Sequence, residues 1–159
     1  MYPEFGGVGQ DDGWDDVYDH LKLASEDPDD TIPEWPGTDK EFPGFSDRYA
    51  ITRGGYMGIE DYNRPAAVAE CEHKWGVNYA RTYNLAAPWG TRPGPRGSCD
   101  EFPFNDSYQG VKYTRDKGSR NYSVAVIDHD QNTNFGSAMS VWYSKDRVIN
   151  GDRFFIRFK

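Results

Sequence analysis

The first pattern along the chain is a set of apolar positions at helical spacing within an acidic stretch. Trp14, Val17, Tyr18 and Leu21 recur every three or four residues in DDGWDDVYDHLKLASEDPDD, which predicts a short helix. Residues 31–45 follow and are rich in proline, which indicates extended chain. We expect aromatic side chains to anchor this front segment on the rest of the protein, namely Trp14, Trp35, Phe42 and Phe45. A solvated linker is the alternative.

A second helix is predicted over residues 63–76, NRPAAVAECEHKWG. Asn63 is a suitable N-cap, Pro65 suits the first turn, and Gly76 suits the end. Ala67, Val68, Cys71 and Trp75 fall on one stripe of this helix, so the stripe places Cys71 toward the core.

The second half of the chain predicts strands around another helix. Residues 122–127 alternate and are mostly apolar, as in a strand, and residues 136–148 have the pattern of a helix with Met139 and Trp142 inward. NGD at 150–152 indicates a turn before a closing strand, RFFIRF. The order predicts a small single α+β domain, with a short antiparallel sheet packed against helices and an acidic, proline-rich segment in front.

Charge divides the chain at about residue 52. Residues 1–52 hold 14 acidic and 3 basic side chains, a balance of −11, whereas residues 53–159 hold 12 and 15, a balance of +3; together these give the net charge of −8. We therefore predict an N-terminal segment, residues 1–52, that is a linker or a restraining arm, and a functional domain, residues 53–159. If the segment docks on the domain, its carboxylates would repel DNA, and deleting it should lower the apparent KM for DNA. No apolar run is long enough to span a membrane, so no membrane partner is expected.

The two cysteines, Cys71 and Cys99, fit one disulfide, and a disulfide indicates an oxidising, extracellular compartment. Two buried, reduced thiols are the alternative. Cys71 lies on the core stripe of its helix and Cys99 directly precedes an acidic pair, so a bond between them would pin the helix to that pair.

The acidic pair stands in GSCDEFPFNDSYQG, where Asp100 and Glu101 follow Cys99 and precede a stiff aromatic–proline–aromatic step. Adjacent residues of an extended segment point to opposite faces, so one carboxylate can hold a metal ion while the other faces a cation. Rigidly held carboxylates suit a hard divalent cation such as Mg²⁺ or Mn²⁺. An ordinary surface loop with salt bridges is the alternative.

A second polar cluster, IDHDQNTNFG, follows the predicted strand at residues 127–136. His129 is the best-placed general base in the chain, because imidazole titrates near neutrality. A surface ion pair between His129 and its flanking Asp residues is the alternative. His20 and His73 are interpreted as structural residues.

The two clusters together resemble the NucA/NucB deoxyribonucleases, which are secreted bacterial endonucleases. CDEFPFNDSYQG is similar to the family signature CDE-[FYW]-PFAST-x-x-G, and YSVAVIDHDQNTNFGSAMSVWYSKDRVINGDRFFI is similar to its strand, its E-N-x-x-Q-G motif, its helix and its N-R-[IV]-[LI]-D-G-D-x-F ending. The resemblance covers roughly residues 63–159. It implies metal-dependent, sequence-tolerant cleavage of DNA. The positions of the family motifs that it carries over are Asp100, Glu101, Asn132 and Gly136 in this chain.

The chain departs from the family pattern at three positions. Gln131 stands where the family usually has an acid, Phe135 where it has Gln, and Asp106 where it has Ser. Asp130, Asp128 and Asp106 are the candidates to replace the missing acid.

The resulting hypothesis is a secreted, monomeric endonuclease that hydrolyses DNA with Mg²⁺ or Mn²⁺. A further hypothesis is that it is the toxic domain of a larger secreted protein and has an inhibitor protein of its own. Five side chains are the candidate catalytic residues: Asp100, Glu101, His129, Gln131 and Asn132. Asp100 and Asp130 are the candidate metal ligands, and Arg96 and Arg120, which flank the motifs, are the candidate phosphate contacts. The alternative is a catalytically weakened homologue that binds nucleic acid or protein without cutting, as the replacements at Gln131 and Phe135 suggest.

Overall fold

A computed structural model describes residues 4–5, 13–54, 58–86 and 97–158. The helices in this part of the chain are α1 (Asp15–Glu26), α2 (Ile59–Trp75), α3 (Tyr79–Ala86), α4 (Val111–Asp116) and α5 (His129–Lys145), with a 3₁₀ turn at Pro28–Asp30. The strands are β1 (Glu4–Phe5), β2 (Ile51–Thr52), β3 (Gly97–Phe102), β4 (Ser123–Asp128), β5 (Arg153–Phe154) and β6 (Arg157–Phe158). Within the described residues no helix combines the length and apolarity that a membrane crossing needs.

The sheets are small and mostly antiparallel. β3 pairs with β4 over six residues, and β2 pairs with β5 over two. β1 pairs with β6 in parallel over two residues. Helices cover these sheets, so the predicted α+β class is confirmed.

The core is divided between the two sides of the β3–β4 pair. On one side, α1 and α5 pack with the C-terminal strand β5. This part of the core includes Val17, Leu21, Ile127, Met139 and Phe154. On the other side α2 packs on the strands through Ala67, Cys71, Cys99 and Val124.

The front segment, as far as it is described, is packed against the domain. Phe42 and Ile51 are buried, Trp14 and Phe45 pack on the same core, and the inner face of α1 is fully enclosed. The expected anchoring is therefore observed for Trp14, Phe42 and Phe45, whereas Trp35 is half-buried and belongs to neither core cluster. The boundary at residue 52 stays a prediction.

Three of the predicted elements have different ends. α2 begins at Ile59, so Asn63 lies inside the helix and is not its N-cap. The Asn63 side chain instead donates to the carbonyls of Asn105 and Ser107 and accepts from the N–H of Lys112. A side chain at Gly110 would collide with Asn63, since a Cβ there would lie 2.2 Å from its amide nitrogen. The closing strand is split into β5 and β6, which have different partners.

The third change of bounds concerns α5, which begins at His129 rather than at residue 136. Asp128 is its N-cap, and the carboxylate accepts from the N–H groups of Asp130 and Gln131. The polar cluster at 128–132 is thus the first turn of a helix and not a loop. The predicted strand before it is confirmed, one residue later than expected, as β4.

Candidate active site

The floor of the site is β3, all six residues of which are buried. In its pairing with β4, Asp100 lies opposite Ala125 and Glu101 lies opposite Val124. Asp100 and Glu101 are 7% and 6% exposed, so their negative charges lie inside the protein rather than on a surface loop. A buried carboxylate requires polar partners. Asp100 and Glu101 each contact such a partner, and the two partners lie on different helices.

Above β3 lies an open cavity of about 360 Å³ that contains both carboxylates. Its polar lining comes from the residue after β2, from α2 and β3, from the loop after β3, and from α5. The charged and polar side chains that line it include Arg53, Arg64, Asp100, Glu101, Asp106, His129, Asn132 and Tyr143. The two sequence motifs therefore converge on one cavity, as the resemblance implied.

Asp100 is held by His20 of α1. The His20 Nδ1 lies 2.6 Å from Asp100 Oδ2, and Nε2 lies 2.7 Å from the Ser123 hydroxyl. His20 is 5% exposed. The sequence interpretation of His20 as structural missed this contact with the acidic motif.

Glu101 is paired with Arg64 of α2, whose Nη1 lies 2.7 Å from Glu101 Oε2. The same guanidinium donates to the Cys99 carbonyl and, at 3.4 Å, to the Ser98 hydroxyl. Burial raises the pKa of the Glu101 carboxyl to about 7; Arg64 lowers it, Asp100 raises it further, and burial dominates. Glu101 can therefore exchange a proton near neutral pH.

The first turn of α5 brings its side chains to different places. Asn132 lines the cavity and donates to the Ser98 hydroxyl at 3.0 Å and to the Cys99 carbonyl at 3.1 Å. His129 is exposed and also lines the cavity. Gln131 is turned away, since its Oε1 accepts from the N–H of Asp16 at 2.7 Å, and neither it nor the exposed Asp130 is part of the lining. The family's glycine position, Gly136, lines the cavity as well.

Asp106, one of the candidates to replace the missing acid, forms a wall of the cavity with Arg53 and Tyr143, which were not anticipated from the sequence. The guanidinium carbon of Arg53 lies 3.6 Å from the centre of the Tyr143 ring, and the Tyr143 hydroxyl donates to Asp106 Oδ1 at 3.2 Å. Burial raises the pKa of the Asp106 carboxyl, although Arg53 and Tyr143 lower it. The Nη1 of Arg53 is buried and has no hydrogen-bond partner among the described residues. Because Arg53 also lines the cavity, its guanidinium group favours an anionic ligand there.

Of the two predicted phosphate contacts, only Arg120 belongs to the described residues, and it lies away from the cavity. Arg120 donates from Nη1 to the Glu34 carbonyl at 2.5 Å and is not part of the cavity lining. Arg96 lies outside the described residues. Among the described residues, the guanidinium groups that line the cavity are those of Arg53 and Arg64.

The disulfide is confirmed. Cys71 of α2 and Cys99 of β3 are bonded, with their Cα atoms 6.1 Å apart, and both are fully buried. Because Cys99 directly precedes Asp100, the bond fixes the acidic pair against α2.

The donor set fits a hard divalent cation that keeps part of its water shell. Among the described residues no group of three or more His, Cys, Asp and Glu side chains could hold a metal ion, so an all-protein cage is absent there. Mg²⁺ commonly binds through one or two carboxylates together with water and substrate phosphate. Asp100 supplies such a carboxylate. The side-chain nitrogen of Asn132 donates to Ser98 and to the Cys99 carbonyl, so its side-chain oxygen is left for a ligand.

The cavity of this α+β domain combines two adjacent carboxylates with guanidinium groups. This combination is typical of the active site of a nuclease. This chain belongs to the family Deoxyribonuclease NucA/NucB, whose model matches residues 48–157. The resemblance read from CDEFPF is thus confirmed, and the match begins at residue 48 rather than near residue 63, where the motifs placed its start. The family implies a nuclease, with DNA as its substrate. No curated protein and no solved structure matches the chain.

Proposed function

We propose that this protein is a sequence-nonspecific endonuclease that hydrolyses DNA phosphodiester bonds with the help of a divalent cation. The observation that carries the proposal is the meeting of Asp100 and Glu101 with Asn132 in one cavity. These residues come from the two motifs of the family, and the fold brings them together by pairing β3 with β4 and starting α5 directly after β4.

Asp100 and Asn132 are the proposed ligands of Mg²⁺ or Mn²⁺, with Glu101 next to them. Such an ion would supply positive charge to the phosphate and lower the pKa of a bound water. Asp130, the second ligand predicted from the sequence, is exposed and outside the cavity lining, so we do not assign it this role.

The protein's own groups then have separable tasks. His129, exposed at the cavity, accepts the proton of the attacking water and can release it to solvent. Glu101, whose pKa is about 7, is the second proton-exchanging group, and Arg64 restrains it. Rigid placement of these groups by β3 and α5 lowers the entropic cost of reaching the transition state.

Arg53 is the proposed contact for a backbone phosphate. Its guanidinium is oriented by the Tyr143 ring and has a nitrogen without a partner among the described residues. A guanidinium can bind a phosphate through two parallel hydrogen bonds, and such a contact carries no base information. This supports cleavage without sequence preference.

The disulfide supports secretion, because disulfides persist in oxidising compartments. An inhibitor protein, a role as a toxin and a monomeric state remain predictions from the sequence.

Gln131 favours a second candidate function, a weakened homologue that binds nucleic acid without cutting. Where the family usually has an acid, this chain has an amide that faces α1. End-labelled duplex fragments of unrelated sequence separate the two candidates. The endonuclease gives breaks at many positions when Mg²⁺ or Mn²⁺ is added, whereas the weakened homologue shifts the same fragments in a native gel and leaves them intact.

A further inference from the structure

We propose that His20 is a positioning residue for Asp100, and that α1 is therefore part of the active site. This inference rests on the proposed function, because it assumes that Asp100 takes part in cleavage. His20 lies before residue 48, outside the region that matches the family, so the contact is a feature of this chain's front segment.

The geometry of the contact is that of a fixed relay of hydrogen bonds. An ionised carboxylate can only accept, so the 2.6 Å contact requires a proton on His20 Nδ1. The Ser123 hydroxyl, 2.7 Å from Nε2 and 1% exposed, then fixes the ring's orientation from the other side. The imidazole occupies Oδ2 of Asp100, so Oδ1 is the oxygen left for a ligand.

α1 is itself held at its N-terminus, so the position of His20 does not depend on a mobile arm. The Asp16 carboxylate accepts from the N–H of Asp128 at 2.9 Å and from the Tyr83 hydroxyl at 2.7 Å. Val17 and Leu21, on the same face as His20, are 0% and 1% exposed. A displacement of this helix would therefore move the partner of Asp100.

A partner that orients a metal ligand typically affects metal affinity or activity 10- to 100-fold, roughly, when it is lost. A structural residue would instead affect stability alone. The two roles are separated by replacing the hydrogen bond without replacing the side chain's bulk.

The test compares wild type with His20→Ala, His20→Asn and His20→Gln. The Asn amide can replace Nδ1 and keep the donor toward Asp100, whereas the longer Gln amide reaches toward Ser123. We expect kcat for DNA cleavage to fall about 10- to 100-fold in His20→Ala and His20→Gln, with KM little changed, and to be largely restored in His20→Asn. Val148→Ala is the control, since it removes a buried core contact and lowers stability without changing the hydrogen bonds of His20 or Asp100.

Calorimetric titration with Mn²⁺ alone gives a readout that does not depend on cleavage. Thermal unfolding first shows whether His20→Ala is folded. If it is folded and binds Mn²⁺ more weakly than wild type, the inference is supported. This holds even if wild type cuts no DNA, and in that case only the proposed function fails. If His20→Ala is unfolded, His20→Asn against His20→Gln decides. Equal kcat and equal Mn²⁺ affinity in these two variants, a loss in Val148→Ala as large as theirs, or no Mn²⁺ binding by wild type would overturn the inference.

Discussion

At the scale of single residues, the adjacent pair Asp100 and Glu101 is given two different environments. Strand alternation predicted different partners for the two, and the structure gives Asp100 to His20 of α1 and Glu101 to Arg64 of α2. Both nevertheless line one cavity. Sequence could supply the acidic motif but not the partners, because these lie 80 and 37 residues away along the chain. A signal for His20 existed: it is a polar residue at an inner position of an amphipathic helix.

Replacing Arg53 tests the proposed phosphate contact. Arg53→Ala should raise KM for DNA roughly 10-fold or more, because hydrogen bonds to charged groups contribute about 1.5–3 kcal/mol. Steady-state cleavage of a duplex oligonucleotide measures this. Arg120→Ala is the matched control and also tests the sequence-based assignment. A larger effect of Arg120→Ala than of Arg53→Ala, with both variants folded, would return the contact to Arg120.

Lys40 provides a pH dependence of stability outside the site. Its ammonium group donates to Thr31 at 2.6 Å and to the Pro33 carbonyl at 3.0 Å, and burial lowers its pKa to about 8 against the opposing effect of Asp29. Between about pH 8 and the ordinary lysine value near 10.5, the unfolded chain binds more protons than the folded chain, so the free energy of unfolding should rise with pH.

Urea unfolding at pH 8, 9 and 10 checks this for wild type against Lys40→Met, in which the contribution is removed. As pH rises, the free energy of unfolding of wild type should increase relative to that of Lys40→Met. Parallel pH profiles would show that Lys40 titrates alike in the folded and unfolded states.

At the scale of elements, the sequence predicted those whose apolar positions are periodic. β4 and the body of α2 have such patterns and were found within a few residues of their ends. β3 has none, since Ser98, Asp100 and Glu101 occupy buried positions of the strand. The first turn of α5 is entirely polar and was missed for the same reason. The wall of Arg53 and Tyr143 was missed because it depends on the β2–β5 pairing, which holds Arg53 through hydrogen bonds between its backbone and residues 151 and 152.

The disulfide is the covalent link between two of these elements. Removing it in Cys71→Ala/Cys99→Ala should lower the free energy of unfolding by about 3–4 kcal/mol, because the bond closes a loop of 28 residues in the unfolded chain. Urea unfolding of the variant and of wild type measures the difference. A loss below about 1 kcal/mol would indicate that packing of α2 on β3 is sufficient without the bond.

At the scale of the whole molecule, the acidic front segment and the basic domain share one core. Deleting residues 1–52 would remove Val17, Leu21, Phe42 and Ile51 from that core, so deletion is an unsuitable test of electrostatic restraint. The restraint stays a prediction, and it can be tested by neutralising exposed carboxylates instead.

Asp19, Glu26 and Asp30 are exposed, so Asp19→Asn/Glu26→Gln/Asp30→Asn should keep the fold. If the segment repels DNA, this variant should have a lower KM than wild type at low salt. The difference should disappear as salt rises, since charges are screened over about 10 Å at 0.1 M. A KM ratio near one at every salt concentration would show that the segment does not restrain DNA binding.

The most direct measurement of the central claim is nicking of supercoiled plasmid by wild type and Asp100→Asn. We predict relaxed circles from wild type in Mg²⁺ or Mn²⁺, none in excess EDTA, and recovery when the cation is restored. Asp100→Asn should give no product under any of these conditions while its circular dichroism matches that of wild type, because an amide is a far weaker ligand for a hard cation than a carboxylate. Nicking by wild type that persists in EDTA, or nicking by Asp100→Asn at the wild-type rate, would contradict the account.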